Sequence, residues 1–179
     1  MCLMPEQSWN WFYHQEEQKL AIALGQELVF VTPYGPKQLT PDSLDGQGFT
    51  ASHADYYQSV LQELSRYLSV SEAALVQIAL NLTAAHFFAL PMMPKSWHFK
   101  SSDRIAYGRS GTVVELCTDT QRQSFVVVEA GDQSSLLMLL GPDCSLSNKR
   151  SMDQFDLIKV MNDRLIPIAK RSQARVVAA

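Results

Sequence analysis

The sequence predicts an α+β protein, because strand-like and helix-like segments occupy separate stretches of the chain. Period-two apolar segments fill the first third, two helical patterns follow, and short strand-like runs occupy most of the remainder. With 179 residues, of which 46% are hydrophobic, the chain can bury a substantial core. We therefore expect an N-terminal β-meander packed with two or three helices, followed by a small, mostly-β, barrel-like domain with a C-terminal helix.

The meander is predicted from three alternating segments. In WNWFYH at 9–14, one face carries Trp9, Trp11 and Tyr13, whose large rings favour core packing over docking. KLAIAL at 19–24 alternates larger apolar residues with alanine, and LVFVT follows as a third strand after a polar turn. LTPDSL then indicates one helical turn, because Thr40 is a good N-cap and proline suits the first helical position.

Two helices are predicted next. From about His53 to Leu68, apolar residues recur at helical spacing and form one stripe. Ser69 and Glu72 have the spacing of a capping box, which predicts the start of the second helix. This helix continues to about Phe88 and is apolar around most of its girth, so it must be covered on more than one side.

LPMMP at 90–94 ends the second helix, because a proline disfavours the α conformation in the residue before it. The boundary between two domains is placed here. This gives an N-terminal α/β domain at 1–90, a C-terminal barrel-like domain at 91–169 and a mobile tail at 170–179.

The second half is predicted to be mostly β. Strand-like runs at 112–118, 124–130 and 134–140 are separated by polar turns, and GPDCSLSN leads into a further short strand. Such a series is typical of a small sandwich or barrel. FDLIKVMNDRL at 155–165 returns to helical spacing, and the capping-box spacing of Ser151 and Gln154 predicts where this C-terminal helix starts.

Charge is distributed unevenly along the chain. Residues 1–90 carry nine acidic and three basic groups, and residues 91–179 carry nine acidic and twelve basic groups, for net charges of −6 and +3. The asymmetry is consistent with two surfaces that attract different partners, and equally with drift.

The cysteines and the N-terminus indicate the compartment. Cys2, Cys117 and Cys144 are an odd, sparse set without CxxC spacing, which argues against a disulfide framework and a zinc site. The N-terminus lacks the pattern of a signal peptide, and the longest apolar runs are far too short to span a bilayer. A cytoplasmic location without membrane insertion is therefore expected.

The search for chemistry yields no catalytic residue. There is no P-loop and no dinucleotide-binding glycine motif, and GRSGT at 108–112 is predicted to be a polar turn. His86 lies on a very apolar helix, which favours a hydrogen-bonded core or boundary histidine over a metal ligand. The basic clusters at 148–150 and 170–175 lack interleaved aromatics and are interpreted as solvated surface. No enzyme activity, cofactor, metal or nucleic-acid partner is predicted.

MPKSWHF at 93–99 stands at the predicted boundary. Its apolar residues are expected to form the seam between the two halves, namely Met93, Pro94, Trp97 and Phe99. This leaves Lys95 and Ser96 to face a partner. Tryptophan is also enriched at interface hot spots, so docking remains an alternative for Trp97.

The chain resembles the Z-ring-associated ZapC family of cell-division proteins. The resemblance runs from about Trp9 to Pro167 and rests on five stretches, which are WNWFYHQEE, LTPD, GF at 48–49, MPKSWHF and IKVMNDRLIP. MPKSWHF and MNDRL are the specific ones. The first eight residues and the tail after Pro167 do not resemble the family closely, so nothing is carried over there.

The resemblance implies a non-enzymatic protein with an N-terminal α/β part and a small β-barrel. It implies binding to polymers of the tubulin-like GTPase FtsZ, bundling of FtsZ protofilaments, a stabilised Z-ring at mid-cell and a lower FtsZ GTPase activity. Bundling requires either two FtsZ-binding surfaces or self-association, and we expect a monomer rather than an obligate oligomer. The alternative is a ligand-sensing β-barrel adaptor, which would show a small molecule or a polar pocket in the second half.

Two partner-binding surfaces follow as a hypothesis. An apolar groove in the acidic half would take a short apolar and acidic peptide and be lined by Leu20, Ile22 and Leu24. A basic surface in the other half would meet acidic FtsZ segments and include Lys95, Trp97, Lys159 and Arg164. The competing interpretations are a core position for Ile22 and a structural role for Arg164 beside Asp163 or a helix C-terminus.

Overall fold

The computed structural model describes residues 2–171, and its N-terminal sheet has four strands. Strands β1 (Asn10–His14), β2 (Lys19–Ala23) and β3 (Val29–Val31) form the predicted antiparallel meander. A short β4 (Gln47–Gly48) pairs with the other edge of β1, which gives the order β3-β2-β1-β4. The predicted helical turn is confirmed as a 3-10 turn at Pro41–Leu44.

Both predicted helices are present, as α1 (Ala51–Ser65) and α2 (Glu72–Phe88). Thr50 caps α1 through its hydroxyl oxygen, which accepts a hydrogen bond from the His53 amide at 3.3 Å. The prediction of a capping box at Ser69 is wrong. Ser71 is the N-cap of α2, because its extended backbone places its hydroxyl oxygen 3.2 Å from the Ala74 amide, which donates to it.

The second half forms an open antiparallel sheet and a separate hairpin. The sheet contains β5 (Val113–Cys117), β6 (Arg122–Ala130), β7 (Ser134–Leu139), β10 (Leu157–Met161) and β11 (Ile166–Pro167), in the order β10-β7-β6-β5-β11. The hairpin pairs β8 (Asp143–Ser147) with β9 (Arg150–Asp153). The α+β class is confirmed, and the order of the strands across residues 2–171 is linear rather than closed into a barrel.

The prediction of a C-terminal helix is wrong. Residues Leu157–Met161 form β10, in which the buried Ile158 and Val160 alternate with half-buried neighbours and the strand pairs with β7. Phe155 has a φ of +71°, which a right-handed helix does not allow, and helical geometry is limited to a 3-10 turn at Asn162–Arg164. The β-branched side chains of Ile158 and Val160 favour this strand.

The proposed caps of that helix have other roles. Ser151 lies within β9, and the Gln154 side-chain amide donates a 2.9 Å hydrogen bond to the Leu140 carbonyl. The hairpin partner β9 was not predicted, since only one short strand was expected after GPDC.

The five-stranded sheet is buried on both faces. One face contributes Val113, Val126, Val128 and Met138 to a large core shared with the helices and the meander, where Trp9 and Trp11 are each 1% exposed as predicted. The other face forms a second core with Phe125, Val127 and Leu137, which is covered by Phe99 and the β8–β9 hairpin residues Cys144 and Met152. The large core therefore joins both halves of the chain.

The C-terminal residues of the described chain return to α1. The backbone amide of Arg171 donates to the Arg66 carbonyl at 2.7 Å, and the Arg171 guanidinium donates to the Leu68 carbonyl at 3.0 Å. The tail predicted to be mobile begins at residue 170, and its residues 172–179 lie outside the described residues.

Candidate partner-binding surfaces

An apolar groove of about 340 Å³ lies between the β2–β3 hairpin and α2. Its apolar lining includes Leu24, Leu28, Val29, Phe30, Val76 and Leu80. Leu28 and Val29 are 54% and 47% exposed, which is unusual for large apolar side chains. We call this surface the meander groove.

The meander groove lies beside an open sheet edge. Strand β3 is at the end of its sheet and pairs only with β2 among the strands of residues 2–171. The outer backbone groups of such a strand can pair with an added extended peptide. Val29 therefore combines an open backbone edge with an exposed apolar side chain.

The residues predicted for this groove separate into two groups. Leu20 and Ile22 are 0% exposed and belong to the large core, because β2 is an interior strand covered by the helices. They do not line the groove, and the competing core interpretation of Ile22 is confirmed. Leu24 follows the end of β2 and lines the groove as predicted. Most of the other lining residues come from β3 and α2, and Leu3 and Leu28 come from the N-terminal segment and the turn before β3. The alternation of a single strand does not show which other elements will pack beside it.

The MPKSWHF stretch runs beside β10 and is held there by hydrogen bonds from both backbone and side-chain groups. The Lys95 amide donates to the Lys159 carbonyl at 2.8 Å, and the Met161 amide donates to the Ser96 hydroxyl at 2.7 Å. Arg164 Nε donates to the Ser96 carbonyl at 3.3 Å, and its Nη1 donates to the Ser101 hydroxyl at 2.9 Å. Arg164 therefore positions this stretch.

The structure reverses part of the predicted seam. Met93 and Trp97 are 79% and 70% exposed, whereas Ser96 is 8% exposed, and only Phe99 lies in a core as expected. The reason is the 3-10 turn at Ser96–His98, which directs the serine towards β10 and the tryptophan towards solvent. An exposed tryptophan on a hydrogen-bonded turn is a candidate docking residue.

The predicted basic residues do not form one continuous set. Lys95 and Trp97 share the 3-10 turn region, and Arg164 contacts the backbone of the same turn. Lys159 instead lines a separate depression of about 200 Å³ with Glu129 and Asp132. The carboxylates of these two residues offset the charge of Lys159, so the attraction of Lys159 for an acidic partner is weaker.

One further concave surface was not predicted from the sequence. A cleft of about 470 Å³ separates MPKSWHF from the β8–β9 hairpin, and its lining includes Lys95, His98, Lys149 and Arg150. We call it the hairpin cleft. The cluster at 148–150 was interpreted as solvated surface because exposed charges are the norm and no aromatic residues are interleaved with it. The basic cluster at 148–150 was the only feature of the sequence that could have indicated this cleft.

Two of the histidines, His53 and His86, pack against aromatic side chains. His53 Nδ1 accepts hydrogen bonds from Trp11 Nε1 at 3.2 Å and from the Thr50 amide at 3.1 Å, and burial lowers the pKa of His53. His86 stacks on Tyr56 with ring centroids 4.2 Å apart, and burial lowers the pKa of His86 as well. Over residues 2–171, no group of three or more His, Cys, Asp or Glu side chains is placed to hold a metal ion.

Neither helix of the described chain has the length and apolar character required to cross a membrane.

Comparison with known proteins identifies the family. A family model described as "Cell-division protein ZapC, N-terminal" matches residues 2–90, and its C-terminal counterpart matches residues 91–171. The chain belongs to the ZapC family. The cell division protein ZapC of Ferrimonas balearica is 54% identical over 100% of both chains, and that of Shewanella oneidensis is 46% identical over 100% of both. ZapC of Aeromonas hydrophila is 32% identical over 93% of each chain.

Membership of the ZapC family confirms the resemblance drawn from MPKSWHF and MNDRL. It makes the chain a cell-division protein. Both specific stretches meet in space, because Arg164 of the second contacts the Ser96 carbonyl of the first. The two stretches on which the resemblance was drawn are thus in direct contact.

Proposed function

We propose that this ZapC family protein is a non-enzymatic, monomeric bridge between FtsZ protofilaments. It acts in the cytoplasm at the mid-cell division ring. By holding neighbouring filaments together it promotes bundling, stabilises the Z-ring and lowers the GTPase activity of FtsZ. Lower GTPase activity follows because subunits held in bundles exchange more slowly.

The observation that carries this proposal is the presence of two separate exposed apolar surfaces on one chain. The meander groove exposes Leu28 and Val29, and the MPKSWHF turn exposes Met93 and Trp97. Monomers rarely expose such residues in groups without a partner. Two surfaces on one chain permit bridging without self-association.

In the meander groove, a short extended segment of FtsZ adds as a strand to β3. Its backbone pairs with the open edge at Val29, and alternate apolar side chains enter the groove beside Leu24 and Val76. Main-chain hydrogen bonds then supply affinity, and the groove supplies selectivity for apolar side chains.

On the second surface, Trp97 is the anchor and Lys95 supplies positive charge for acidic FtsZ segments. Lys95 forms no ion pair with any side chain of residues 2–171, so its charge is available. Arg164 contributes by positioning the turn, since its side chain is 21% exposed and already bound to Ser96, Ser101 and Asp163.

Two weak surfaces suffice for bundling because the filament is multivalent. Once one surface is bound, the second meets FtsZ at an effective concentration of about millimolar. Loss of either surface should then abolish bundling but leave some binding to single filaments.

The test is co-sedimentation with assembled FtsZ, together with light scattering and GTP turnover. Val76→Asp and Trp97→Ala are each expected to abolish the scattering increase and restore GTP turnover while the protein still pellets partially. Matched controls are Val70→Asp, at a 47% exposed site outside the groove, and Tyr107→Ala, at a 90% exposed site outside the turn. If both test variants bundle FtsZ as well as the wild type, the bridging proposal is rejected.

A further inference from the structure

We propose that the hairpin cleft binds a small phosphate-bearing organic anion. The cleft measures about 470 Å³, within the range of small-molecule sites. The cleft shares Lys95 with the proposed FtsZ surface, whereas its other two cations, Lys149 and Arg150, lie outside that surface. The cleft also agrees with the expectation that a ligand-sensing protein would carry a polar pocket in its second half.

The charges of the cleft are unbalanced. Of its lining residues, Lys95, Lys149 and Arg150 are cationic, and none of them forms an ion pair within residues 2–171. By contrast, several basic residues elsewhere in the described chain are paired with carboxylates, namely Arg66, Arg109, Arg122, Arg164 and Lys170. Convergence of unpaired cations on one concave surface favours an anion as the ligand.

The lining contains one carboxylate, Asp156, which is already engaged. Its Oδ2 accepts a hydrogen bond from the Asp153 amide at 2.8 Å. Three cations against one carboxylate leave a net charge of +2 around the cleft. This charge matches a phosphate monoester, which carries close to two negative charges at neutral pH.

His98 provides an internal probe of the field in the cleft. Burial lowers the pKa of His98, and the positive charges of Arg150 and Lys95 lower it further, against an opposing effect of the Leu146 carbonyl. Both charges therefore act on the same imidazole. An anion bound between them offsets their field and raises the pKa of His98.

The remaining lining suits an organic group attached to the phosphate. Met152 and Ile158 are 5% and 2% exposed and form an apolar floor together with Leu146 and Leu157. The guanidinium of Arg150 can donate two parallel hydrogen bonds to phosphate oxygens, and lysine ammonium groups add charge without a fixed geometry. An apolar floor with a cationic rim favours a phosphorylated organic molecule over a simple inorganic ion.

The experiment titrates the protein with AMP and, separately, with pyrophosphate while amide and imidazole NMR signals are recorded. AMP is expected to shift the amides of residues 146–152 saturably and to raise the pKa of His98. The Lys149→Ala/Arg150→Ala variant should bind AMP at least tenfold more weakly. The matched control Lys100→Ala/Arg104→Ala removes the same charge at exposed positions outside the cleft and should bind as the wild type does.

Several outcomes would overturn the proposal. One is the absence of a saturable shift of the NMR signals with either probe at concentrations well above millimolar. Another is an equal loss of AMP binding in the cleft variant and the control variant, which would indicate a general effect of charge. Binding of an acidic peptide but of neither phosphate probe would assign the cleft to a peptide instead. Lys95→Met serves as a second test variant for AMP binding in case the hairpin variant unfolds. It is not compared for FtsZ binding, because Lys95 also belongs to the proposed FtsZ surface.

Two further measurements complete the design. Pelleting with phosphatidylcholine vesicles that contain phosphatidic acid distinguishes a lipid headgroup from a free phosphate as the source of the ligand. Lys149 and Arg150 lie outside the proposed FtsZ surfaces, so co-sedimentation of their variant with FtsZ should be unchanged. Loss of AMP binding without loss of FtsZ binding would thus separate this inference from the bridging proposal.

Discussion

Glu63 of α1 accepts a 2.5 Å hydrogen bond from the Arg109 guanidinium, which belongs to the turn before β5. The same carboxylate pairs with Arg66 at 3.1 Å and with Lys170 at 3.4 Å. One side chain that is 4% exposed therefore links α1, the turn before β5 and the C-terminal segment. This contact joins the two halves of the chain by charge where the large core joins them by packing.

Glu63→Gln should destabilise the protein by about 1–3 kcal/mol, because it removes the negative charge that three cations share. The cations are partly exposed, which keeps the expected loss below that of a fully buried pair. Urea denaturation at neutral pH measures the change. Glu16→Gln, at an exposed turn position, is the control, and an equal effect of the two substitutions would contradict the assigned role of Glu63.

Stability should fall at acid pH in a way that depends on Glu63. Burial raises the pKa of Glu63, but Arg109 and Lys170 outweigh this effect and hold it below its ordinary value of 4.5. A lowered native pKa stabilises the fold above the ordinary value, and this contribution is lost as the pH falls below it. Urea midpoints from about pH 7 to about pH 3 should therefore decline more steeply for the wild type than for Glu63→Gln. Parallel declines would show that Glu63 does not contribute.

Gly111→Ala should destabilise the protein by about 2–4 kcal/mol. Gly111 has a φ of +90°, and an added Cβ would lie 2.9 Å from Glu63 Cβ and 3.2 Å from Val60 Cα. Gly25→Ala is a matched control, because Gly25 has a φ of +104° but no atom within 4 Å of its added Cβ. It should cost only about 1–2 kcal/mol, from backbone strain alone. Thermal or urea unfolding of the two variants separates the free-energy cost of backbone strain from that of the steric collision at Gly111.

His53 should remain neutral at pH values where an ordinary histidine is protonated. Its Nδ1 accepts from Trp11 and Thr50, and burial lowers its pKa from 6.5. A histidine with a lowered native pKa contributes full stability above the ordinary value and loses it as the pH falls below 6.5. An NMR titration of the His53 imidazole should give a midpoint below 6.5 and a Trp11 indole signal that moves with it. A midpoint at or above that value would contradict the assignment of Nδ1 as the acceptor.

The sequence predicted the parts of the fold that local pattern determines. Alternation identified the meander, and helical spacing identified α1 and α2. It failed at residues 155–165, where Phe155, Ile158, Met161 and Leu165 satisfy helical spacing while Ile158 and Val160 also satisfy alternation. Pairing with β7 decides between these patterns, and that partner is distant in sequence.

The candidate sites were predicted less completely, because surfaces form where distant elements meet. Leu24 was placed correctly in an apolar groove, but Leu20 and Ile22 precede it by the same two-residue period and are core. The period alone does not show where a strand leaves its covering helices. Arg150 was missed for a related reason, since its site exists only when β9 folds back over the sheet.

The sheet with two buried faces limits how the molecule can be dissected. Residues 91–171 expressed alone would expose Val113, Val126, Val128 and Met138, which are now at most 1% exposed. Tyr34 of the first half also donates to the Phe155 carbonyl at 2.9 Å, so truncation would leave that group without its partner. A C-terminal fragment should therefore be poorly soluble. Pull-down experiments with separate halves would detect nonspecific binding through this exposed apolar face. Point substitutions in the intact chain are therefore the more reliable way to map its partners.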